Sequence, residues 1–157
     1  MANDKVLREQ LTTLLKGGNA HMTFAQVIAD FPPECFNLFP PNVDYTFWHL
    51  LEHLRIAQWD ILRFILDPGH ASPEWPQGYW PSPAARATDA EWGETISSFE
   101  QDMAELQALV HDPTTEFHSQ IAHAPGYTIL REILLVADHN AYHIGEFGIL
   151  RQIVGAW

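Results

Sequence analysis

The chain has few basic residues. Lys and Arg together number 8 against 20 Asp and Glu, which gives a formal net charge of −12 at pH 7. A nucleic-acid-binding protein neutralises phosphates with a basic face, and eight cations spread along 157 residues do not form one. The composition therefore argues against a nucleic-acid partner.

Cysteine is almost absent. The single residue, Cys35, excludes an internal disulfide and fits a reducing compartment. A nucleophilic cysteine needs a base partner, whereas the local sequence Pro-Pro-Glu-Cys-Phe offers a carboxylate, which raises a thiol pKa. Cys35 is therefore interpreted as structural.

Long apolar runs are also missing. No stretch of about 18 uncharged apolar residues occurs, so we expect no membrane span. The first ten residues carry charges throughout, unlike a secretory signal, and a cytoplasmic protein is expected. An apolar content of 46% suffices for a full core, and residues 1–157 are predicted to form a single domain.

Most of the chain shows the three- and four-residue apolar spacing of amphipathic helices. Four long helices are predicted, with one short helical piece after the first and no strand pattern. Capping residues and Gly or Pro breakers set their ends. The expected ranges are 3–16, 23–31 for the short piece, 43–66, 88–109 and 127–154. The predicted fold class is all-α, a four-helix bundle.

Two histidines, His139 and His143, stand four residues apart inside the apolar run of the last helix. Nine histidines in 157 residues will place some pairs at this spacing by chance, and a lone core histidine is usually only a packed residue. However, this pair shares the core-facing stripe with Val136 and Phe147. Two buried neutral imidazoles need partners, and a shared metal ion supplies them.

A second pair, His49 and His53, lies in the helix predicted over 43–66. His53 falls on the edge of the core stripe, and His49 falls one step further toward solvent. We therefore predict His53 as the third metal ligand and His49 as a pocket residue or a support for the ligands. Three neutral histidines leave a position on the metal open for water or substrate.

Several other residues are candidates for a pocket around this site. The stretch 67–87 is rich in proline and aromatics, and either covers the core or forms a pocket wall from Trp75, Tyr79 and Trp80. Glu146, one turn after His143, is either a hydrogen-bond acceptor and proton shuttle for that histidine or an ordinary helix carboxylate. Tyr142 is a weaker pocket candidate.

Three further histidines, His111, His118 and His123, are assigned to the surface. On the last helix, small residues lie away from the histidine face, and this side either packs internally or forms a dimer contact; they are Ala137, Ala141, Gly145 and Gly148.

Two familiar metal motifs do not fit. A His-Glu-x-x-His peptidase places its glutamate base where this chain has Asn140. Di-iron carboxylate bundles need two Glu-x-x-His pairs, and none occurs here. A mononuclear site remains, with one histidine from the earlier helix and two from the last.

Two segments resemble the DinB-like (YfiT-like) superfamily of metal-binding four-helix bundles: Trp48-His-Leu-Leu-Glu-His53-Leu-Arg and Ala137-Asp-His-Asn-Ala-Tyr-His143-Ile-Gly-Glu. The resemblance implies an up-down-down-up bundle, often a homodimer, with His53, His139 and His143 as the metal triad. It also implies Zn or Ni as the ion. Relatives include transferases that use thiols such as bacillithiol or mycothiol, a maleylpyruvate isomerase, and proteins suspected of hydrolysis.

Two functions are compatible with these features. The first is a metal-dependent enzyme that activates a low-molecular-weight thiol (an S-transferase) or water and acts on a small-molecule substrate. The second is a non-catalytic, metal-stabilised bundle that binds a small ligand or acts in a stress response. A third interpretation is a purely structural bundle with core histidines.

Overall fold

The computed structural model describes residues 2–157, most of which lie in five α-helices. Their bounds are α1 Ala2–Lys16, α2 Phe24–Ile28, α3 Phe47–Leu66, α4 Asp89–His111 and α5 Ile129–Ile153. The all-α prediction is confirmed in its main part, with four long helices and one short one. The up-down-down-up order of the four stays a prediction, and Met1 of the predicted domain 1–157 lies outside the described residues.

Threonine caps decide where the helices begin. In each case the hydroxyl oxygen accepts the backbone N–H three residues further on, which satisfies a donor that the helix itself leaves free. The caps of α2 to α5 are Thr23, Thr46, Thr88 and Thr128. Because Thr46 is a cap, α3 begins at Phe47 rather than near residue 43, as the apolar pattern alone predicted.

One segment predicted as loop contains strands. Gln120–Ile121 (β1) pairs antiparallel with Ala124–Thr128 (β2). The absence of strands was therefore a wrong prediction for this segment. The strands are too short to show an alternating pattern, and β2 contains Pro125 and Gly126, which normally disfavour strands.

The core has two clusters of buried side chains, and α3 contributes to both. One is rich in aromatics and the other in aliphatic residues; the first includes Phe31, Phe36, Phe47, Trp92 and Phe147, and the second Leu11, Leu62, Leu106, Ile133 and Val136. The helix α3 packs against both α4 and α5. This packing places the histidines of α3 opposite those of α5. No helix within residues 2–157 combines the length and the apolar character that crossing a bilayer requires.

The small-residue side of α5 serves more than one purpose. A Cβ added at Gly148 would lie 3.6 Å from Met22 Sδ and 3.7 Å from Val27 Cγ1, so this position packs against α2. A Cβ at Gly145 would meet open space. Internal packing, one of the two predicted uses of this side, therefore applies at Gly148.

Candidate metal centre

Three histidines from two helices meet at one point. The Nε2 atom of His53 on α3 lies 3.1 Å from Nε2 of His139 and 3.2 Å from Nε2 of His143, both on α5. One ring nitrogen from each of the three lies within 4.8 Å of the other two. These are the three histidines that the sequence selected. Zn–N bonds of about 2.0–2.1 Å in tetrahedral geometry place two nitrogens about 3.3 Å apart, close to both observed separations.

Hydrogen bonds fix which nitrogen of two of these rings carries the proton. His53 Nδ1 donates to the carbonyl oxygen of Tyr79 at 2.8 Å, and His143 Nδ1 donates to Glu146 Oε2 at 2.7 Å. In a neutral imidazole the other nitrogen, Nε2, then carries a lone pair. Two lone pairs therefore face each other at 3.2 Å, where no hydrogen bond can form between them. A cation shared by the nitrogens stabilises this arrangement, so the donor set fits a divalent metal ion.

The surroundings of His53 and His139 keep these two rings neutral. Burial, followed by repulsion from His143 and His53, lowers the pKa of His139 to about 4. Burial also lowers the pKa of His53, against the opposing effect of the Tyr79 carbonyl. A histidine binds metal in its neutral form. Both rings are therefore in the binding form at neutral pH.

Glu146 is the acceptor for His143 and is itself held by Tyr45. Burial alone would raise the pKa of Glu146, but hydrogen bonds from His143 Nδ1 and the Tyr45 hydroxyl lower it overall. Burial and the Glu146 carboxylate raise the pKa of Tyr45, which therefore keeps its proton and donates it to Oε1. Tyr45 could not be predicted from the sequence, because the residue precedes the cap of α3 and has no regular spacing relative to the histidines.

The segment 67–87 forms one wall of the centre. The Trp80 ring stacks on the His53 ring with 4.0 Å between centroids and 4° between planes, and the Tyr79 carbonyl holds His53 Nδ1. The Tyr79 hydroxyl donates to Asp60 Oδ2 at 2.6 Å, and burial and Asp60 raise the pKa of that hydroxyl to about 12. Trp75, by contrast, is 72% exposed. Of the three aromatic residues proposed for a pocket wall, two contact the site.

His49 does not join the triad. Its side chain is only 2% exposed, so the prediction that it lies toward solvent was wrong. The backbone N–H of Thr46 donates to His49 Nδ1 at 3.0 Å, and His49 Nε2 therefore carries the proton and donates to the Ser82 carbonyl at 3.0 Å. Both ring nitrogens are engaged in capping α3 and in binding the segment 67–87, which covers this residue.

Tyr142 lies at the edge of the site. Its side chain is 70% exposed, and its ring meets the His143 ring edge-on with 4.8 Å between centroids. A groove of about 360 Å³ adjoins it, lined by Tyr142, Gly145, Glu146, Ile149 and Leu150. The carboxylate that holds His143 thus also borders a surface groove. The surface histidines His111, His118 and His123 are exposed, as predicted.

A separate cavity of about 240 Å³ lies between α1, α2, α4 and α5. Its lining includes Leu15, Phe24 and Phe99 together with Ala137 and Ala141 from the small-residue side of α5. Part of that side thus borders an open space.

Comparison with known proteins gives the family. The family model described as the DinB superfamily matches residues 19–147, and the chain belongs to that superfamily. No curated protein and no solved structure matches the chain. The matched range contains all three histidines of the centre.

Proposed function

We propose that this DinB-superfamily protein binds one divalent metal ion, Zn or Ni, through His53, His139 and His143. The observation that supports the site is the pair of facing Nε2 lone pairs, each fixed by a hydrogen bond on the opposite nitrogen. A ligand set of three imidazoles suits zinc and nickel.

On this site we propose a metal-dependent enzyme that activates a low-molecular-weight thiol, as an S-transferase, or water. A divalent ion with an open position lowers the pKa of a thiol or water that binds it. Glu146 holds the Nδ1 proton of His143 and keeps that ring aimed at the site, while Trp80 covers one face of His53 and limits access of water. Tyr142 borders the groove beside Glu146, where a small substrate can contact it.

Turnover of a small electrophile tests the activity. The metal-loaded protein is mixed with monochlorobimane and a panel of cellular thiols, and with an activated ester in the absence of thiol. Metal-dependent conjugation supports the transferase, whereas metal-dependent hydrolysis supports water activation. The matched control is His118→Ala, which removes an exposed histidine and should keep the activity that His143→Ala loses. The absence of a metal-dependent rate with every thiol and with the ester would refute the proposed enzymatic activity.

The alternative is a non-catalytic bundle that binds a small ligand. The 240 Å³ cavity favours it, because this space lies on a different side of α5 from the histidines. Isothermal titration with thiols and small metabolites separates the two functions, since a binder shows affinity without turnover. Metal analysis of the purified protein is required for both functions, because each of them includes a bound metal ion.

A homodimer is proposed with α5 as its contact surface. Exposed apolar side chains follow one side of this helix and continue to the C-terminus; they are Leu134, Ile149, Ile153 and Trp157, each between 45% and 63% exposed. Apolar stripes of this kind often mark contacts between subunits, and a two-fold axis pairs a helix with its own copy. The net charge of −12 opposes association, so the apolar contact must outweigh this repulsion for a dimer to form.

A further inference from the structure

Two buried atoms on neighbouring residues of α5 have no hydrogen-bond partner. They are His139 Nδ1 and Asn140 Oδ1, and among the described side chains, those of residues 4–157, only one other buried atom, Arg63 Nε, shares this condition. Buried polar atoms in folded proteins nearly always find a partner, because leaving one unsatisfied costs about 1–3 kcal/mol. Both atoms therefore require an explanation.

The orientation of the Asn140 amide is fixed by a chain of hydrogen bonds that starts at the backbone. The Phe99 carbonyl can only accept, so Gln58 must present its Nε2 to it, at 2.7 Å. Gln58 Oε1 is then an acceptor, and Asn140 must present Nδ2 to it, at 2.9 Å. This chain of hydrogen bonds leaves the Oδ1 atom of Asn140 without a donor. Gln58 and Asn140 are 1% and 4% exposed, so water does not compete for these bonds.

The other unpartnered atom, His139 Nδ1, needs an acceptor when the ring binds a metal ion through Nε2. If His139 Nε2 binds a metal ion, Nδ1 must carry the ring proton and requires an acceptor. His53 has the Tyr79 carbonyl for this purpose, and His143 has Glu146. On the residue that follows His139 in α5, the unpartnered acceptor is Asn140 Oδ1.

We infer that Asn140 is a positioning residue for His139: Asn140 Oδ1 accepts the Nδ1 proton of His139 when the centre holds its ion, and Gln58 keeps the amide in that orientation. The inference rests on the proposed metal site. It gives each of the three histidines its own acceptor and connects the metal centre to α4 through Gln58. Histidine acceptors of this kind typically contribute about 10- to 100-fold to metal affinity.

The experiment compares the zinc affinity of two Asn140 variants with that of the parent protein. Asn140→Leu keeps the size of the side chain but removes the acceptor, and the zinc Kd should rise about 10- to 100-fold. Asn140→Asp retains an oxygen acceptor for His139 but loses the N–H that Asn140 donates to Gln58 Oε1, and it should keep the Kd within about tenfold of the parent. The control is Thr12→Val, which removes a buried hydroxyl that donates to the Arg8 carbonyl within α1 and should leave zinc binding unchanged.

A spectroscopic readout separates positioning from general stability. In the zinc-loaded protein, the His139 Nδ1–H should give a slowly exchanging ¹H–¹⁵N signal in the parent and in Asn140→Asp, but not in Asn140→Leu. If Asn140→Leu does not fold, the spectrum of the zinc-loaded parent still tests the inference. A rapidly exchanging His139 Nδ1–H in the parent overturns it. Equal zinc affinity of parent and Asn140→Leu also overturns it, while leaving the metal site intact. Failure of the parent to bind zinc or nickel instead removes the proposed function, and the inference with it.

Discussion

At the scale of single residues, two buried histidines one turn apart on α3 have different roles because of what occupies their Nδ1 atoms. The Thr46 N–H donates to Nδ1 of His49, which leaves its proton on Nε2. The Tyr79 carbonyl accepts from Nδ1 of His53, which leaves its lone pair on Nε2. Only the second arrangement directs an Nε2 lone pair at α5, which a metal ligand on α3 would require.

A pair of alanine variants tests this difference. His143→Ala should abolish metal binding because it removes one of three ligands. His49→Ala should keep the Kd within about tenfold of the parent, but should lower the free energy of unfolding by about 0.5–2 kcal/mol, the usual cost of losing a helix cap. Metal competition titrations and denaturant unfolding of the metal-free protein measure the two effects. Equal loss of metal in both variants would show that the wrong histidine of α3 has been assigned.

The lowered histidine pKa values predict how stability depends on pH in the metal-free protein. An unfolded histidine titrates near 6.5, whereas His139 in the fold titrates near 4. Between these values the unfolded state binds more protons, so the free energy of unfolding falls as pH drops from about 6.5 to about 4 and gains nothing above 6.5. The loss from His139 alone is on the order of 3 kcal/mol at most.

Denaturant unfolding at pH 7.5 and pH 4.5 checks this prediction with two variants. His139→Gln replaces the ring with a group that does not titrate and should reduce the difference in stability between the two pH values. His118→Gln changes an exposed histidine and should leave that difference as in the parent. The same pH dependence in parent and His139→Gln would contradict the low pKa.

At this scale, the sequence was enough to predict much of the triad. It was not enough to predict most of the groups that hold the histidine rings in place. Spacing of four residues places His139 and His143 together. The apolar periodicity of the helix that contains His49 and His53 favours His53 as the third ligand. The acceptor of His53, however, is the Tyr79 carbonyl, a backbone atom that carries no residue-specific signal. The burial of His49 depends on the segment 67–87 folding over it, which the periodicity of α3 does not reveal.

At the scale of elements, the segment 67–87 is fastened to α3 by a buried carboxylate. Asp60, 6% exposed, accepts from the Tyr79 hydroxyl at 2.6 Å, and its Oδ1 lies 2.7 Å from His70 Nε2. Because the same Tyr79 gives its carbonyl to His53, this anchor sets the position of one histidine of the centre.

Removing the anchor hydroxyl should loosen the wall of the metal centre. Tyr79→Phe retains the ring and the carbonyl but takes one of two donors from Asp60, so amide hydrogen exchange in 77–80 should become faster. The zinc Kd should rise by up to about tenfold, at the lower end of the effect of losing a direct support. Tyr127→Phe, the same change at an exposed tyrosine on β2, should alter neither quantity. Unchanged exchange in Tyr79→Phe would mean that Asp60 does not hold the segment.

The helices themselves were predictable because periodicity, caps and breakers agree along most of the chain. The start of α3 was misplaced because Val43 and Tyr45 extend the apolar pattern beyond the Thr46 cap. The two short strands were missed because their pairing depends on contacts across the chain: Ile121 and Ala124 are buried in the aliphatic cluster of the core. Tertiary packing, rather than local preference, decides such segments.

At the scale of the whole molecule, the acidic charge and the apolar side of α5 act in opposite directions on association. A net charge of −12 keeps copies of the chain apart, while the exposed apolar side chains of α5 favour contact. Salt screens the first effect over about 8–10 Å but does not weaken apolar contact. If α5 is the dimer surface, the dimer should therefore become tighter as ionic strength increases.

Sedimentation of the metal-loaded protein at two salt concentrations tests the dimer. The parent should sediment as a dimer, and Ile149→Glu, which places a charge in the centre of the exposed stripe, should shift it toward monomer. Val6→Glu makes the same change at a side chain of α1 that is 51% exposed, against 63% for Ile149, and should leave the dimer intact. Since Ile149 points away from the core, neither variant should alter zinc affinity by more than a few-fold. A monomeric parent, or equal dissociation in both variants, would show that α5 is not the contact surface of a dimer.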